Sequence, residues 1–584
     1  MKQLGVLDTA FVNLEHPNTP QHVGGMGIYD PSTAPGGFVR FKGVIANFER
    51  RLKKHSIFRS RMVKVPGNLD RPYWVQDANF DVEFHIRHLA LPQPGDWRQL
   101  CILIARLHAR PLDMSRPLWE AYIIEGLDNI PGVPKGGFAI YTKMHHSLVD
   151  GAGGSSIMSV IHDLEPDPEA VPEAPETVMV DVAPSSLYLG TASAVNQVKN
   201  SVKILGGAAS TIKDLGKLAW GVARKKIPMP SITSPRTRFN TPVGPYRVFE
   251  AAEFMLDDVK LIKDHAGVKI NDVVLAVVGG GMRSYLQHHN ELPEDSLAVS
   301  IPLNMRTRRG VSDENNQVGS VFVEVHTEMD DPLARLKAVY ASSQDAKVFG
   351  ENSPLVDVLR LAGVMPPALT RPLVNTYVNN ELTQHLPLGI SSVVSNVAGP
   401  PFPLYSAGAQ MVRYYGLGLL TPGVGLFHLV FSSSGVVTMS ILGDRDSMPD
   451  PAFYRECVEK AFSDLLDAVK KDKASKEKAD KAAVKTRKKA TVKKAAVKKA
   501  GIASPDKAPV KKARATTKKA ASTAAAKKTV SKAAEVKAQV AERKTPAGDK
   551  AAKPADSDRV SSLLGADSPA DTASNVVKLS AESN

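Results

Sequence analysis

The chain has 584 residues, 43% of them hydrophobic, which is more than one ordinary core holds, so two domains and appended segments are expected. Its formal charge of +14 is a property of one end. Residues 471–584 carry 29 basic and 12 acidic side chains, while residues 1–470 carry 45 and 48, so the body is close to neutral. The two cysteines, Cys101 and Cys457, form no CxxC pair or disulfide framework, which suits a reducing, cytoplasmic setting. No basic-then-apolar leader opens the sequence, and no apolar run approaches the roughly 18 residues of a membrane span. Any membrane contact is therefore expected to be peripheral.

In chain order, residues 1–180 read as a first α/β unit. Val39 to Lys53 has the spacing of an amphipathic helix, Trp74 to Val82 reads as a strand, and Arg98 to Ala109 as a helix burying Cys101, Ile104 and Leu107. Trp119 to Ile124 and Phe138 to Met144 are strand candidates. Glu165 to Pro184 is rich in proline and acid and reads as a linker, running into the connecting segment 181–234 with its basic amphipathic helix. Within it, Val195, Val198, Val202, Leu205, Ala209 and Ile212 recur at three- and four-residue steps, interrupted at Gly206-Gly207. Lys199, Lys203, Lys213 and Lys217 flank that stripe, and Trp220 with Arg224-Lys225-Lys226 closes it. The pattern fits either a helix packed between domains or one lying on an anionic lipid surface.

A second α/β unit is expected over 235–470. Its strand candidates are Val299 to Pro302, Val321 to His326, Ser391 to Ser395, Gly425 to Phe431 and Val436 to Leu442. Helices are expected at Asp257 to Asp264, Asp272 to Gln287, Pro332 to Lys347 and Pro451 to Val469. Gly279-Gly280-Gly281 lacks the rest of a phosphate loop and reads as close helix packing; no GxSxG elbow of a serine hydrolase occurs. Residues 471–584 contain no Phe, Trp or Tyr and read as a disordered tail that can bind polyanions without reading sequence.

The most informative segment is His145-His146-Ser147-Leu148-Val149-Asp150-Gly151. Strand alternation places His146 with Phe138, Ile140 and Met144, and turns His145 to the opposite face with Ala139 and Tyr141. A neutral imidazole there can take a proton from a hydroxyl near pH 7. It can equally be a satisfied core histidine, and Asp150 can simply cap a helix. No third ligand stands at a spacing that favours a metal.

The HHxxxDG pattern resembles the signature of the acyl-CoA-dependent acyltransferase superfamily. Other segments are similar to its bacterial wax ester synthase/diacylglycerol acyltransferase branch, as found in actinobacteria. They are Leu7-Asp8-Thr9-Ala10-Phe11 through Gly24, Pro117-Leu118-Trp119-Glu120, Asn271-Asp272, Asn316-Gln317 with Gly319, and Ser395-Asn396-Val397-Ala398-Gly399-Pro400, where Ala398 replaces the usual proline. The resemblance covers residues 1 to about 465, in order. It implies an α/β protein of two chloramphenicol-acetyltransferase-like domains with a deep channel between them. It also implies acyl transfer from acyl-CoA, a co-substrate, to diacylglycerol or a long-chain alcohol, with no metal or other cofactor. In that reading His146 is the general base, and His145, Asp150 and Asn271 complete the catalytic set, with Asn271 holding the oxyanion. Gly151, Trp119 and Asn396 are substrate-binding. Trp119 also reads as a core aromatic and Asn271 as an N-cap. The enzyme is expected at the inner face of the membrane or on lipid droplets, with duplex DNA as a partner for the tail. Two other readings stand beside it: a condensation-type enzyme using a carrier-protein thioester, and a lipid-surface or DNA-tethering protein with a non-catalytic body.

Overall fold

The computed structural model describes residues 1–52, 55–148, 158, 160–167, 184–229, 234–304, 318–353, 365–385 and 389–499; at 7, 198–210, 303–304, 318–319, 480 and 482–499 the backbone alone is described. In chain order the strands are β1 (Lys2–Gln3), β2 (His22–Asp30), β3 (Ser60–Val63), β4 (Tyr73–Gln76), β5 (Ile86–Ala90), β6 (Trp119–Glu125), β7 (Phe138–His145), β8 (Arg247–Met255), β9 (Ala298–Asn304), β10 (Val318–Glu324), β11 (Ser392–Ala398), β12 (Tyr405–Ser406), β13 (Ala409–Leu417), β14 (Leu426–Ser433) and β15 (Val436–Asp444). The helices are α1 (Val6–Leu14), α2 (Phe41–Leu52), α3 (Val82–His85), α4 (Trp97–Ala109), α5 (Ser186–Ala223), α6 (Leu256–Ala266), α7 (Ile270–His288), α8 (Pro332–Asn352), α9 (Pro367–Asn379) and α10 (Pro451–Lys499).

Two six-stranded sheets carry the fold. One runs β12-β13-β2-β7-β6-β5, the other β10-β9-β11-β14-β15-β8, and a small third sheet runs β1-β4-β3. The division is not strictly sequential. Strands β12 and β13 come late in the chain, yet β13 pairs antiparallel with β2, placing Tyr414 opposite Gly27 and Leu417 opposite Gly24. The late half of the chain thus contributes an edge to the early sheet.

In the first sheet every residue of β7 is buried, because the sheet is covered on both faces. Phe138, Ile140 and Met144 join one core cluster with Val44 and Phe48 of α2. Ala139 and Tyr141 join another with Leu100 and Ile104 of α4. The alternation expected from the sequence is realised. Even Lys143 is fully enclosed, its ammonium donating to the carbonyls of Leu107 (3.1 Å) and Arg110 (2.8 Å) and lying 3.3 Å from the Glu120 carboxylate. Helix α4 starts at a capping box, Asp96 accepting from the Gln99 amide at 2.8 Å while the Gln99 side chain accepts from Gly95 at 2.8 Å.

In the second sheet the glycine triplet of α7 does what close packing requires. A Cβ on Gly279 would fall 2.2 Å from the Val325 carbonyl oxygen, and one on Gly281 would fall 2.6 Å from the Val458 side chain.

Several elements differ from the sequence reading. The strand expected to reach Val82 stops at Gln76, because Asp77 turns the chain by accepting from the Asn79 amide at 3.1 Å, and Asp81 then caps α3. Helix α5 runs through Gly206-Gly207 without a break. Helix α10 continues past Val469 to Lys499, so the first part of the segment read as disordered from residue 471 is helical. Alanine and lysine are strong helix formers even where nothing is buried. Residues 500–584 lie outside the described residues.

Candidate active site

Strand β7 ends at His145, and His146 to Leu148 form a single 3-10 turn. This turn fixes both histidines by their backbones. The His145 amide donates to the Leu118 carbonyl at 2.9 Å, and the His146 amide to the Gln21 carbonyl at 2.8 Å.

The two rings have opposite fates. His145 is buried, and its Nδ1 accepts from the Ser147 amide at 3.1 Å with the Ser147 hydroxyl 2.7 Å away. An Nδ1 that accepts leaves the proton on Nε2, which faces the Glu15 carboxylate at 3.4 Å. The Glu15 carboxylate also accepts from the Gln21 amide at 2.6 Å, so Glu15 and Gln21 tie the histidine turn to the end of α1.

His146 is half-buried and stacks on Phe11, with ring centroids 3.9 Å apart and planes 18° apart. Its Nδ1 is buried and has no hydrogen-bond partner among the described residues. Burial, reinforced by the neighbouring His145, pushes its pKa down to about 4, so the ring is neutral at physiological pH. It lines a cavity of about 150 Å³ together with Val23, Thr142, Met144, Tyr414, Leu429 and other residues. Gly24, Gly25 and Gly416 form part of the same wall; a Cβ on Gly25 would fall 2.0 Å from the Tyr414 hydroxyl. Residues of both large sheets enclose this space, since Val397, Leu429 and Phe431 come from β11 and β14.

The other sequence candidates are spread more widely. Asp150 and Gly151 lie outside the described residues, as do Asn316 and Gln317. Trp119 is 4% exposed in the core, where its indole N–H donates to the Phe58 carbonyl at 2.8 Å and its ring stacks on His85. It is not among the residues lining the His146 cavity, and its contacts are those of a core aromatic. Asn396 is exposed on β11, whereas its neighbour Val397 lines the cavity; alternation turns the asparagine to the opposite face. Asn271 is half-buried in the first turn of α7 and is not its N-cap. Lys269 holds that position, and its amide is satisfied by the Asp272 carboxylate at 2.9 Å. Asn271 is not among the residues lining the His146 cavity. Sequence reasoning gave no role to Glu15, Gln21, Ser147 or Tyr414. Only the +2 spacing of Ser147 from His145 was there to be read.

Comparison with known proteins decides the family. The model of the wax ester synthase/diacylglycerol acyltransferase catalytic domain matches residues 4–274, and that of the family's C-terminal domain matches residues 315–466. A probable diacylglycerol O-acyltransferase of Mycobacterium tuberculosis is 32% identical over 471 residues, covering 79% of this chain and 98% of that protein. The chain belongs to the wax ester synthase/diacylglycerol acyltransferase family. It is an acyltransferase. A Mycobacterium bovis protein with the diacylglycerol O-acyltransferase name is 30% identical over 472 residues, covering 80% of this chain and 99% of that one. Among solved structures, the wax ester synthase/diacylglycerol acyltransferase of Marinobacter aquaeolei VT8 superposes with a TM-score of 0.56 at 24% identity, covering 80% of this chain and all of that one, which establishes the shared fold.

Proposed function

We propose that this acyltransferase moves an acyl group from acyl-CoA to the hydroxyl of diacylglycerol or a long-chain alcohol, with His146 as general base. The observation that carries the reading is a neutral, half-buried imidazole on the wall of a mainly apolar cavity, its Nδ1 without a partner among the described residues. The acceptor hydroxyl attacks the thioester carbonyl as its proton passes to His146. The tetrahedral oxyanion then collapses, the C–S bond breaks, and the departing thiolate takes the proton back from His146. The thioester is already activated, so no covalent enzyme intermediate is needed. His145, held by Ser147 and facing Glu15, is a positioning residue that fixes the turn. Asp150 and Gly151 enter this scheme through the motif alone. Asn271 enters as an oxyanion donor on its chemistry: a half-buried carboxamide at the positive end of a helix. Turnover by Asn271→Ala should then fall while the KM for acyl-CoA stays put; unchanged turnover removes it from the scheme.

We place the enzyme in the cytoplasm, at a lipid surface. No helix among the described residues is long and apolar enough to cross a membrane. Helix α5 docks on the small sheet through Leu189 and through Asn196, whose amide donates to Asp70 at 2.8 Å. It nevertheless leaves Ile212 (69%) and Trp220 (61%) exposed beside Lys213 and Lys217, which favours the lipid-facing alternative for this helix. The basic tail is proposed to hold duplex DNA. Labelled palmitoyl-CoA offered with diacylglycerol and with hexadecanol tests the central reading. Labelled triacylglycerol or wax ester is expected with wild-type enzyme, and neither product with either acceptor refutes it.

A further inference from the structure

The His146 cavity does not end in continuous core. A second, smaller void of about 20 Å³ lies beyond it, lined by Met411, Arg413, Ser433, Ser434 and Thr438 among others. Tyr414 and Phe431 line both spaces. Their ring centroids are 4.6 Å apart with planes at 50°. The two rings are the wall between the cavity and the outer void. Each ring occupies room left by a glycine: the Tyr414 hydroxyl sits 2.0 Å from where a Cβ on Gly25 would stand, and Phe431 Cζ sits 2.3 Å from the corresponding point on Gly399. Neither ring could hold this position if those glycines carried side chains.

The inner cavity, at about 150 Å³, holds about five groups the size of a water molecule, a short length of hydrocarbon. A long alkyl chain entering from the His146 end meets the two rings before it is fully accommodated. Aromatic side chains turn about χ1 and χ2 without breaking the backbone ladder, so rotation of either ring joins the two spaces. The outer space is bounded by Met411, Val412 and Val436 as well as Arg413, Ser433, Ser434 and Thr438, so the route changes from mainly apolar to mixed beyond the rings.

We propose that the Tyr414–Phe431 pair is the chain-length partition of this acyltransferase: closed, it favours short alkyl chains, and longer chains pass only when the rings swing aside. The proposal rests on the reading of the His146 cavity as a chain-binding space. The two rings make no contact with the reacting atoms in this scheme and are specificity residues.

The experiment measures kcat/KM for acyl-CoAs from butyryl to stearoyl at a fixed acceptor, and for linear alcohols over the same lengths at fixed palmitoyl-CoA. The first series reports an acyl occupant and the second an acceptor alkyl occupant. Tyr414→Leu and Phe431→Leu, which keep a buried apolar side chain, should raise the ratio of long-chain to short-chain kcat/KM by about tenfold in one series, the gain of about two added methylenes in contact. Tyr414→Phe keeps the ring and should leave the profile where it was. An unchanged ratio in both series, or an equal loss at every length, overturns the partition. An inactive His146→Ala with an unchanged profile in the ring variants is failure of this proposal alone, whereas an active His146→Ala with a shifted profile in the ring variants is failure of the base assignment alone.

Discussion

Each large sheet carries, in a strand or in the turn that follows one, a histidine whose pKa is driven far below normal, and only one of the two has the makings of an active site. His428 in β14 is fully buried and is pushed down to about 3 by burial alone. His146 at the end of β7 is pushed down to about 4. The difference lies in what surrounds the nitrogens. His428 uses both: Nδ1 is 2.9 Å from the Ser392 hydroxyl and Nε2 is 2.9 Å from the Tyr454 hydroxyl, with core on all sides. Although Ser392 and His428 are a serine–histidine pair at hydrogen-bond distance, neither lines the cavity beside His146. Among the described residues the buried His146 Nδ1 has no partner, and the ring lines the cavity. A shifted pKa marks burial; a ring on a cavity wall with spare hydrogen-bonding capacity marks chemistry.

The largest expected effect breaks this comparison directly. His146→Ala should lower acyl transfer by about 10²–10⁴-fold, the usual contribution of a positioned base, with little change in melting temperature. His428→Ala should do the reverse, because it strips the buried Tyr454 hydroxyl of its partner at about 1–3 kcal/mol and leaves a void, while the Ser392 hydroxyl keeps the Leu426 carbonyl at 3.0 Å. Its melting temperature should drop by several degrees while the remaining folded enzyme turns over normally. If the two variants lose activity in equal measure at equal folded fraction, the distinction drawn between the rings is wrong.

The pH dependence sharpens it. As a base His146 works in its neutral form, so kcat/KM should be flat from neutrality down to about pH 5 and fall as pH drops through about 4. Stability moves earlier. A histidine held neutral in the fold and free to protonate near 6.5 when unfolded draws the equilibrium toward unfolding as pH falls below 6.5. His22, His108, His146, His162 and His428 all act in that direction. The melting temperature should therefore decline from pH 6.5 to 4 before initial rates do. A kinetic limb near 6.5 instead would show a solvent-like base.

The sequence announced some of this and hid the rest for identifiable reasons. Alternation in Phe138 to His145 was enough to separate the faces of β7, because both faces are buried against different helices. Strands β2, β8 and β13 escaped notice. Glycines at 24, 25 and 27 weaken the strand signal of β2, yet they are what make room for Tyr141, Tyr414 and Tyr29. Glu15 and Tyr414 are far from His146 in sequence and belong to no motif; only tertiary structure brings them to the site. Trp119 had the opposite problem, since its motif drew attention to a residue that packing explains.

A smaller effect concerns access to lipid. Lys213 and Lys217 are exposed on α5 beside Ile212 and Trp220. Changing both lysines to glutamate should weaken binding to anionic vesicles by about thirtyfold or more, since each cation near such a surface contributes about 1 kcal/mol, and should leave flotation unchanged with neutral vesicles. Equal flotation on anionic vesicles would leave α5 as a structural strut.

The smallest effect on catalysis is expected at the C-terminal end, and the helix decides where to cut. Truncation at residue 471 would remove Asp472, whose carboxylate is 2.7 Å from His265 of α6, and would confuse loss of a tail with loss of a contact. Residues 1–493 form one compact unit, so the chain should be ended after Lys493. That truncation should leave kcat and KM for acyl-CoA within error of the full chain, because every described residue around His146 is retained. Residues 481–532 hold 18 basic side chains and one acidic, Asp506, and the cut removes most of them. Full-length protein should shift duplex DNA at low salt and release it steeply as salt rises, through counterion release, while the truncated enzyme should not shift it. The tail has no aromatic side chain to stack on bases, so duplex should compete at least as well as single strands. A full chain that leaves DNA unshifted at low salt would reduce the tail to a solvated extension, and would leave the comparison between the two histidines untouched.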